Sequence, residues 1–151
     1  MERTLVILKP DALQRRLLGR MIARFEAKGL KIVGLKMIRI TPELAARHYG
    51  EHQGKPFYEP LMKFITSAPV VMLALEAPGV TAMVRRMVGK TFGAEADSGT
   101  MRGDFGLSNR YNLAHASDSP DSAARELALF FAADELLAYK MHDEPWISEL
   151  L

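Results

Sequence analysis

Residues 112–120 read NLAHASDSP, and this stretch says more about the chain topology than any other. Small and apolar residues around His115 predict a buried strand over residues 111–117. Ser119 can cap a following helix, and Pro120 can take the first helical position, where its missing N–H costs nothing. The chain is therefore predicted to run from strand through a tight turn into a helix, with an imidazole near the end of the strand.

The same alternation extends through the rest of the chain. Short continuous apolar runs predict three further buried strands, over residues 4–10, 31–40 and 69–76. Helical spacing predicts longer helices over residues 18–29, 78–89 and 120–133, and short ones over 41–49, 60–66 and after Asp134. Removing the short helices leaves the order βαββαβ. This order is typical of a ferredoxin-like α+β sandwich, a four-stranded antiparallel sheet with helices on one face.

The packing of this predicted fold raises two expectations. The other sheet face is apolar and needs cover from the short helices, the C-terminal tail or a neighbouring subunit. In the helix over residues 120–133, four residues are predicted to face inward: Ala124, Leu127, Ala128 and Phe131.

Residues 89–110 contain five glycines and few apolar residues that could join a core. The composition predicts a long glycine-rich loop. A loop of this length inside a compact domain is usually functional or disordered.

Composition narrows the class of protein. The chain has 151 residues, of which 48% are hydrophobic, and this suits a single domain over residues 1–151. It has no cysteine, so disulfides, zinc thiolates and thiol nucleophiles are excluded. The apolar stretch in the first ten residues, MERTLVILKP, is too short for a signal peptide or a membrane span. A cytoplasmic location is therefore expected. The net charge of +2 comes from interspersed charges, so no specific nucleic-acid partner is indicated.

Two short patterns suggest other chemistry. HYGEH over residues 48–52 matches the H-x-x-E-H pattern of some zinc metallopeptidases, but Gly50 weakens the helix and no third ligand is evident. GKT over residues 89–91 resembles the end of a P-loop. The full motif needs a glycine where Val84 stands, so a P-loop is excluded.

The surroundings of His115 favour phosphate chemistry. Ser117 lies two residues on, on the same sheet face, and Glu126 on the next helix could fold back over the strand. A carboxylate bonded to one ring nitrogen would leave the other free to attack phosphorus. Arg102 lies between glycines, where its fork could grip a phosphate, and Lys9 ends the first strand.

These residues together resemble the nucleoside diphosphate kinase family over nearly the whole chain. The resemblance is carried by KPD (9–11), KPFYEPL (55–61), GTMRGDF (99–105) and NLAHASDS (112–119). It implies transfer of a terminal phosphate from a nucleoside triphosphate such as ATP to a nucleoside diphosphate. The family works by ping-pong through a phosphohistidine, with Mg²⁺ held mainly through the nucleotide phosphates and no metal ligand assigned on the protein.

The resemblance also implies roles for individual residues. His115 is the nucleophile, Ser117 and Glu126 orient it, and Tyr49 lies beside the reacting phosphate. Lys9 is assigned both to catalysis and to the sugar hydroxyls. The other nucleotide contacts are Arg85, Thr91, Arg102 and His52 for phosphates, Asn112 for the sugar, and Phe57 and Leu61 for the base. Stacking reads no base edges, so broad base tolerance is expected.

The chain departs from the usual family pattern at a few positions. Asn109 stands where an aliphatic residue commonly faces the base, Ala116 stands where glycine is frequent, and residues 92–98 lack a proline. A homo-oligomer is expected, a hexamer first and a tetramer as the alternative. A different class of protein, a non-catalytic ferredoxin-like module that senses a nucleotide, would keep the basic pocket but need no histidine.

Overall fold

The computed structural model describes residues 1–149 and contains one four-stranded antiparallel sheet. The strands are β1 (Glu2–Leu8), β2 (Lys31–Ile38), β3 (Val70–Ala77) and β4 (Ala114–Ala116), in the order β2-β3-β1-β4. This is the predicted ferredoxin-like α+β fold. The pairing of β2 with β3 shifts register between Ile32 and Gly34, where the chain has a bulge.

Eight α-helices occur in the described part of the chain: α1 (Pro10–Gln14), α2 (Leu18–Ala27), α3 (Pro42–Tyr49), α4 (Tyr58–Ile65), α5 (Val80–Val88), α6 (Met101–Phe105), α7 (Pro120–Phe130) and α8 (Glu144–Ile147). Single 3-10 turns cover Gly50–His52, Gly93–Glu95 and Ala133–Glu135. Ser119 caps α7 as predicted, because its side chain accepts from the backbone N–H of Ser122. None of the helices within residues 1–149 is long and apolar enough to cross a membrane.

Both faces of the sheet are covered. Helices α2 and α5 pack on one face, where Phe25 and Val84 meet Val6 and Leu73. On the other face, α3, α4 and α7 supply the cover, and Ile65 and Phe130 belong to that second core. Of the three sources considered for this cover, the short helices therefore contribute, together with the helix that follows β4.

The inward face of α7 differs from the predicted one. Of the four predicted residues, Leu127 and Phe131 are buried, whereas Ala124 and Ala128 are exposed, and Ala123, Glu126 and Phe130 are buried in addition. The prediction was wrong at two positions because a carboxylate, rather than a small apolar residue, faces the end of β4. Hydropathy alone places such a residue on the solvent side.

The segment over residues 89–110 contains more structure than a loop. It holds a 3-10 turn and α6, whose first residue, Met101, is fully buried. Thr100 caps α6 by accepting from the N–H of Gly103 at 3.0 Å. Gly103 is needed for close packing, because a Cβ there would overlap the carbonyl oxygen of Asp97. The glycine spacing in this segment therefore reflects close backbone approach around a short helix.

Candidate active site

The end of β4 and the inner face of α7 bring three predicted residues into contact. His115 lies on β4 opposite Ile7 of β1, and its Nε2 is 3.0 Å from Oε2 of Glu126. Ser117 donates its hydroxyl to the same Glu126 oxygen at 2.5 Å. Glu126 is 5% exposed and Ser117 is fully buried, whereas His115 is half-buried. The imidazole is thus anchored on its inner side.

The charge on Glu126 determines which nitrogen of His115 carries the proton. Burial raises the pKa of the Glu126 carboxyl, but hydrogen bonds from His115 and Ser117 outweigh it and bring the pKa below its usual value. The ionised carboxylate can only accept, so Nε2 of His115 must donate. In the neutral ring this leaves Nδ1 with a free lone pair.

A second group joins the end of β1 to the start of β4. Lys9 donates from Nζ to Oδ1 of Asn112 at 2.8 Å, and Asn112 donates from Nδ2 to the carbonyl of Thr91 at 3.1 Å. Burial lowers the pKa of Lys9 to about 8, and repulsion from Arg102 adds to this, while Asp11 opposes it. Thr91 itself is exposed.

Arg102 was predicted to lie in a glycine-rich loop, but the structure places it in a short helix. It lies in α6, 6% exposed, and donates from Nε to the carbonyl of Asn112 and from Nη1 to that of Gly89, both at 3.0 Å. Nη2 donates to the carbonyl of Ala114. Burial lowers the pKa of Arg102 to about 10, with a further contribution from Arg85. Three of its five N–H groups therefore hold backbone, which leaves two for a phosphate.

Arg85 lies on the exposed side of α5, near His115. Its Nη1 donates to the carbonyl of Ala116 at 3.3 Å, so its guanidinium lies beside the residue that follows His115. Ala116 sits in regular antiparallel pairing with Val6, so the methyl group at this position is accommodated by ordinary strand backbone.

The predicted base contacts form a separate group at the start of α4. Phe57 is 49% exposed, and its ring centroid lies 5.3 Å from that of His52. Lys55 Nζ is 5.7 Å from the Phe57 ring, and Leu61 packs half-buried against the second core. An exposed flat ring of this kind can stack on a base. No contact among those described for residues 1–149 joins this group to His115.

The two histidines of HYGEH face different surroundings. His48 is buried against His115, with 4.7 Å between ring centroids, whereas His52 is half-buried beside Phe57. The two histidines therefore do not share one site, which agrees with the sequence argument against a zinc metallopeptidase. Tyr49 is buried, with 6.5 Å between its ring centroid and that of His115.

Sequence reasoning missed three residues of this region. His48 was assessed only as part of a metal motif, although it is the neighbour of Tyr49 on the last turn of α3. Asp11 accepts from the N–H of Leu113 at 3.1 Å, a pairing between distant residues that leaves no local signal. Leu113 has φ +73°, a left-handed conformation that its residue type would not predict.

Comparison with known proteins assigns the family. A family model described as nucleoside diphosphate kinase matches residues 2–136. The chain belongs to the nucleoside diphosphate kinase family. Among the similar relatives, the nucleoside diphosphate kinase of Pelotomaculum thermopropionicum is 54% identical over 149 residues, which are 99% of this chain and 100% of that protein. That of Methanothermobacter thermautotrophicus is 53% identical and covers 99% of each chain.

Solved structures of nucleoside diphosphate kinases agree with this assignment. The halophilic enzyme from Halobacterium salinarum, in complex with CDP, has a TM-score of 0.96 and 46% identity, covering 98% of this chain and 99% of that one. The family protein from Babesia bovis has a TM-score of 0.94 and 42% identity, covering 98% of this chain and 100% of that one.

Proposed function

We propose that the chain transfers the terminal phosphate of a nucleoside triphosphate to a nucleoside diphosphate through a phosphohistidine on His115. The observation that carries the proposal is the hydrogen bond from Nε2 to Glu126, because it leaves Nδ1 as the nucleophilic atom. The Nδ1 lone pair attacks the γ-phosphorus, and the bond to the β,γ-bridging oxygen breaks, so a diphosphate leaves with that electron pair. An acceptor diphosphate oxygen then attacks the same phosphorus and the P–N bond breaks.

Positive charge near His115 supports this chemistry. Phosphoryl transfer depends mainly on positioning and on charge stabilisation. Lys9, Arg85 and Arg102 supply three cations, of which Lys9 and Arg102 are buried and held by hydrogen bonds. Thr91 and His52 are proposed as further phosphate contacts, and Tyr49 as the residue beside the transferred group.

Magnesium would be held mainly through the nucleotide phosphates. Mg²⁺ prefers oxygen ligands in octahedral geometry. Among residues 1–149, Glu126 is the carboxylate that contacts His115, and its Oε2 already accepts two hydrogen bonds. We therefore assign no protein ligand to the ion. When bound, it neutralises charge on the phosphates.

The sugar and the base are assigned to separate residues. Lys9 and Asn112 are proposed to hold the sugar hydroxyls, and Phe57, with Leu61 nearby, to stack on the base. The Halobacterium salinarum relative forms a complex with CDP, which supports a nucleotide site of this kind. Nucleotides with different bases should react at similar rates, whereas those lacking the 3′ hydroxyl should react poorly. Equal kcat/KM for a nucleotide and its 3′-deoxy analogue would contradict the sugar assignment.

The central test is covalent labelling. Incubation with γ-labelled ATP should give an acid-labile, alkali-stable phosphoprotein, and His115→Ala should abolish both the label and turnover. The alternative, a non-catalytic nucleotide sensor, binds nucleotide but acquires no label. Turnover that survives His115→Ala would exclude the proposed mechanism.

The assembly and location are further proposals. A homo-oligomer, first a hexamer and otherwise a tetramer, stays a prediction, as do the cytoplasmic location and a single domain over residues 1–151. Residues 150 and 151 lie outside the described part of the chain. Analytical ultracentrifugation measures the assembly, and cell fractionation the location.

A further inference from the structure

We propose that His48 is a positioning residue, whose Nε2–H becomes a third hydrogen-bond donor to the Glu126 carboxylate while phosphate is transferred to His115. The inference rests on the proposed function, because it assigns His48 to the same reaction. His48 acts through Glu126 and makes no contact with the nucleotide in this proposal.

The first observation is the position of His48 among aromatic rings. It is 7% exposed on the last turn of α3, and its ring centroid lies 4.3 Å from that of Tyr49, 4.7 Å from that of His115 and 5.1 Å from that of Phe130. The rings of His48 and His115 are perpendicular, at 90°. A phenylalanine would make the same ring packing, so packing alone does not account for an imidazole here.

The second observation is an unpaired nitrogen. Nε2 of His48 is buried and has no hydrogen-bond partner among the residues of the described chain. A buried polar group left without a partner costs roughly 1–3 kcal/mol. Such an atom next to a reacting group points to a partner gained in another state of the cycle.

The third observation identifies that partner. One nitrogen from each of His48 and His115 and one oxygen of Glu126 lie within 4.8 Å of one another. Glu126 carries the only negative charge in this group, so it is the natural acceptor for a donor on His48. A surface pocket of about 270 Å³ is lined by both His48 and Glu126, together with Arg47 and Arg125, so the two side chains border one space.

The protonation of His48 suits a donor that carries no charge. Burial lowers its pKa to about 3, with repulsion from His115 adding to this; Glu126 opposes it, and Arg125 and Lys9 contribute smaller repulsions. The ring is therefore neutral at physiological pH and bears a single N–H. As Nδ1 of His115 attacks phosphorus, positive charge develops on that ring and its bond to Glu126 strengthens. A donor from His48 would hold the carboxylate in line with His115 at that moment.

Two substitutions at His48 distinguish the role of its Nε2 from the role of its ring packing. His48→Phe keeps the aromatic packing and removes Nε2, so we expect a melting temperature at or above that of the wild type and a kcat about tenfold lower, the loss of roughly one hydrogen bond. KM for nucleotides should not change, because the residue does not touch them. His48→Gln restores an N–H of similar reach and should recover part of kcat.

A matched control comes from Thr4, whose buried Oγ1 also has no hydrogen-bond partner within residues 1–149. Thr4 lies on β1, three residues before the partner of His115. Thr4→Val should leave kcat unchanged. Wild-type kcat in His48→Phe would overturn the proposal, and so would equal losses in His48→Phe and His48→Gln.

A measurement on the wild-type protein keeps the proposal testable if a variant does not fold. Proton–nitrogen correlation NMR of the imidazoles should show the Nε2–H signal of His48 moving downfield when ATP phosphorylates the protein. An unchanged signal in a fully phosphorylated sample would overturn the role of His48 while leaving the phosphohistidine intact. Absence of any phosphorylation would instead contradict the proposed function.

Discussion

Lys9 and Arg102 are two buried cations at the same end of the sheet, and the protein supplies little negative charge to balance them. Within residues 1–149, Asp11 is the one carboxylate that raises the pKa of Lys9 or of Arg102. Hydrogen bonds offset part of the free-energy cost of burying these two charges. Lys9 donates to a side chain, and Arg102 donates to three backbone carbonyls. A polyphosphate brought to this end would complete the balance, so this end of the sheet is electrostatically prepared for an anion.

The lowered pKa of Lys9 predicts a pH effect on nucleotide capture. Because burial favours the neutral amine, the ammonium is lost near pH 8 rather than near its ordinary value. We expect kcat/KM to fall as pH rises through about 8, since kcat/KM reports groups of the free enzyme. Lys9→Gln should have a lower kcat/KM at every pH, and its kcat/KM should not fall as pH rises through about 8. Persistence of this fall in Lys9→Gln would assign it to another group.

The same residue should affect stability in the opposite direction. Above pH 8 the unfolded chain binds a proton at Lys9 that the folded chain has lost. The free energy of unfolding therefore increases as pH rises from about 8 toward the ordinary lysine pKa. Urea unfolding of the wild type and Lys9→Gln at several pH values would isolate this contribution.

Ser117 and His115 hydrogen-bond to the same oxygen of Glu126, so removal of the Ser117 hydroxyl should disturb the position of His115. Ser117→Ala leaves the buried carboxylate with a single described donor, and a hydrogen bond to a charged group is worth about 1.5–3 kcal/mol. We expect kcat to fall at least tenfold. Ser119→Ala is the matched control, because loss of the α7 cap should cost about 1 kcal/mol of stability without a comparable fall in kcat.

At the scale of elements, strands and long helices could be predicted from the sequence because their apolar patterns are continuous. The bulge at Gly34 and the cap at Ser119 also follow from residue type. Helix α6 could not be predicted in this way, because Gly103 has a low helix propensity and is there for close packing. The site could be predicted only where the family motifs cover it. His48 and Asp11 act through contacts between distant elements, which no local pattern records.

Gly103 gives a direct test of the packing around α6. Gly103→Ala places a Cβ against the carbonyl of Asp97 and close to Thr100, so the backbone must shift. We expect a loss of stability of about 1–3 kcal/mol, as for other overpacked positions, and weaker nucleotide binding because Arg102 lies on the same helix. Ala94→Gly in the neighbouring exposed turn is the control, and it should change binding little. Unaltered melting and binding in Gly103→Ala would contradict the described packing.

At the scale of the whole molecule, part of the exposed apolar surface lies at one edge of the sheet. Because both sheet faces are packed within the chain, neither face needs the neighbouring subunit that the sequence analysis considered as one source of cover. The outer strand, β2, instead carries Leu35 at 55% exposure and Met37 at 60%. An exposed edge strand with apolar side chains is a ready surface for association.

This edge predicts how the assembly can be weakened. The double variant with Leu35→Lys and Met37→Lys should sediment as a smaller species than the wild type, since charges on an edge strand oppose pairing. Ala82→Lys on the exposed side of α5 serves as the control for added charge. An unchanged sedimentation coefficient in the double variant would place the subunit contacts elsewhere.

Leu113 has a consequence for how the site responds to its substrate. Its left-handed backbone costs about 1–3 kcal/mol, and it leads into a strand of only three residues that pairs with β1 alone. His115 therefore lies on the shortest strand of the sheet, and hydrogen bonds of Leu113 with the Asp11 carboxylate and the Lys9 N–H hold the start of that strand. A nucleotide that binds Lys9 and Asn112 together would link the end of β1 to the start of β4 and stabilise their pairing. Hydrogen exchange at Ala114 and Ala116 should accordingly be the fastest in the sheet without nucleotide and should slow most when one binds.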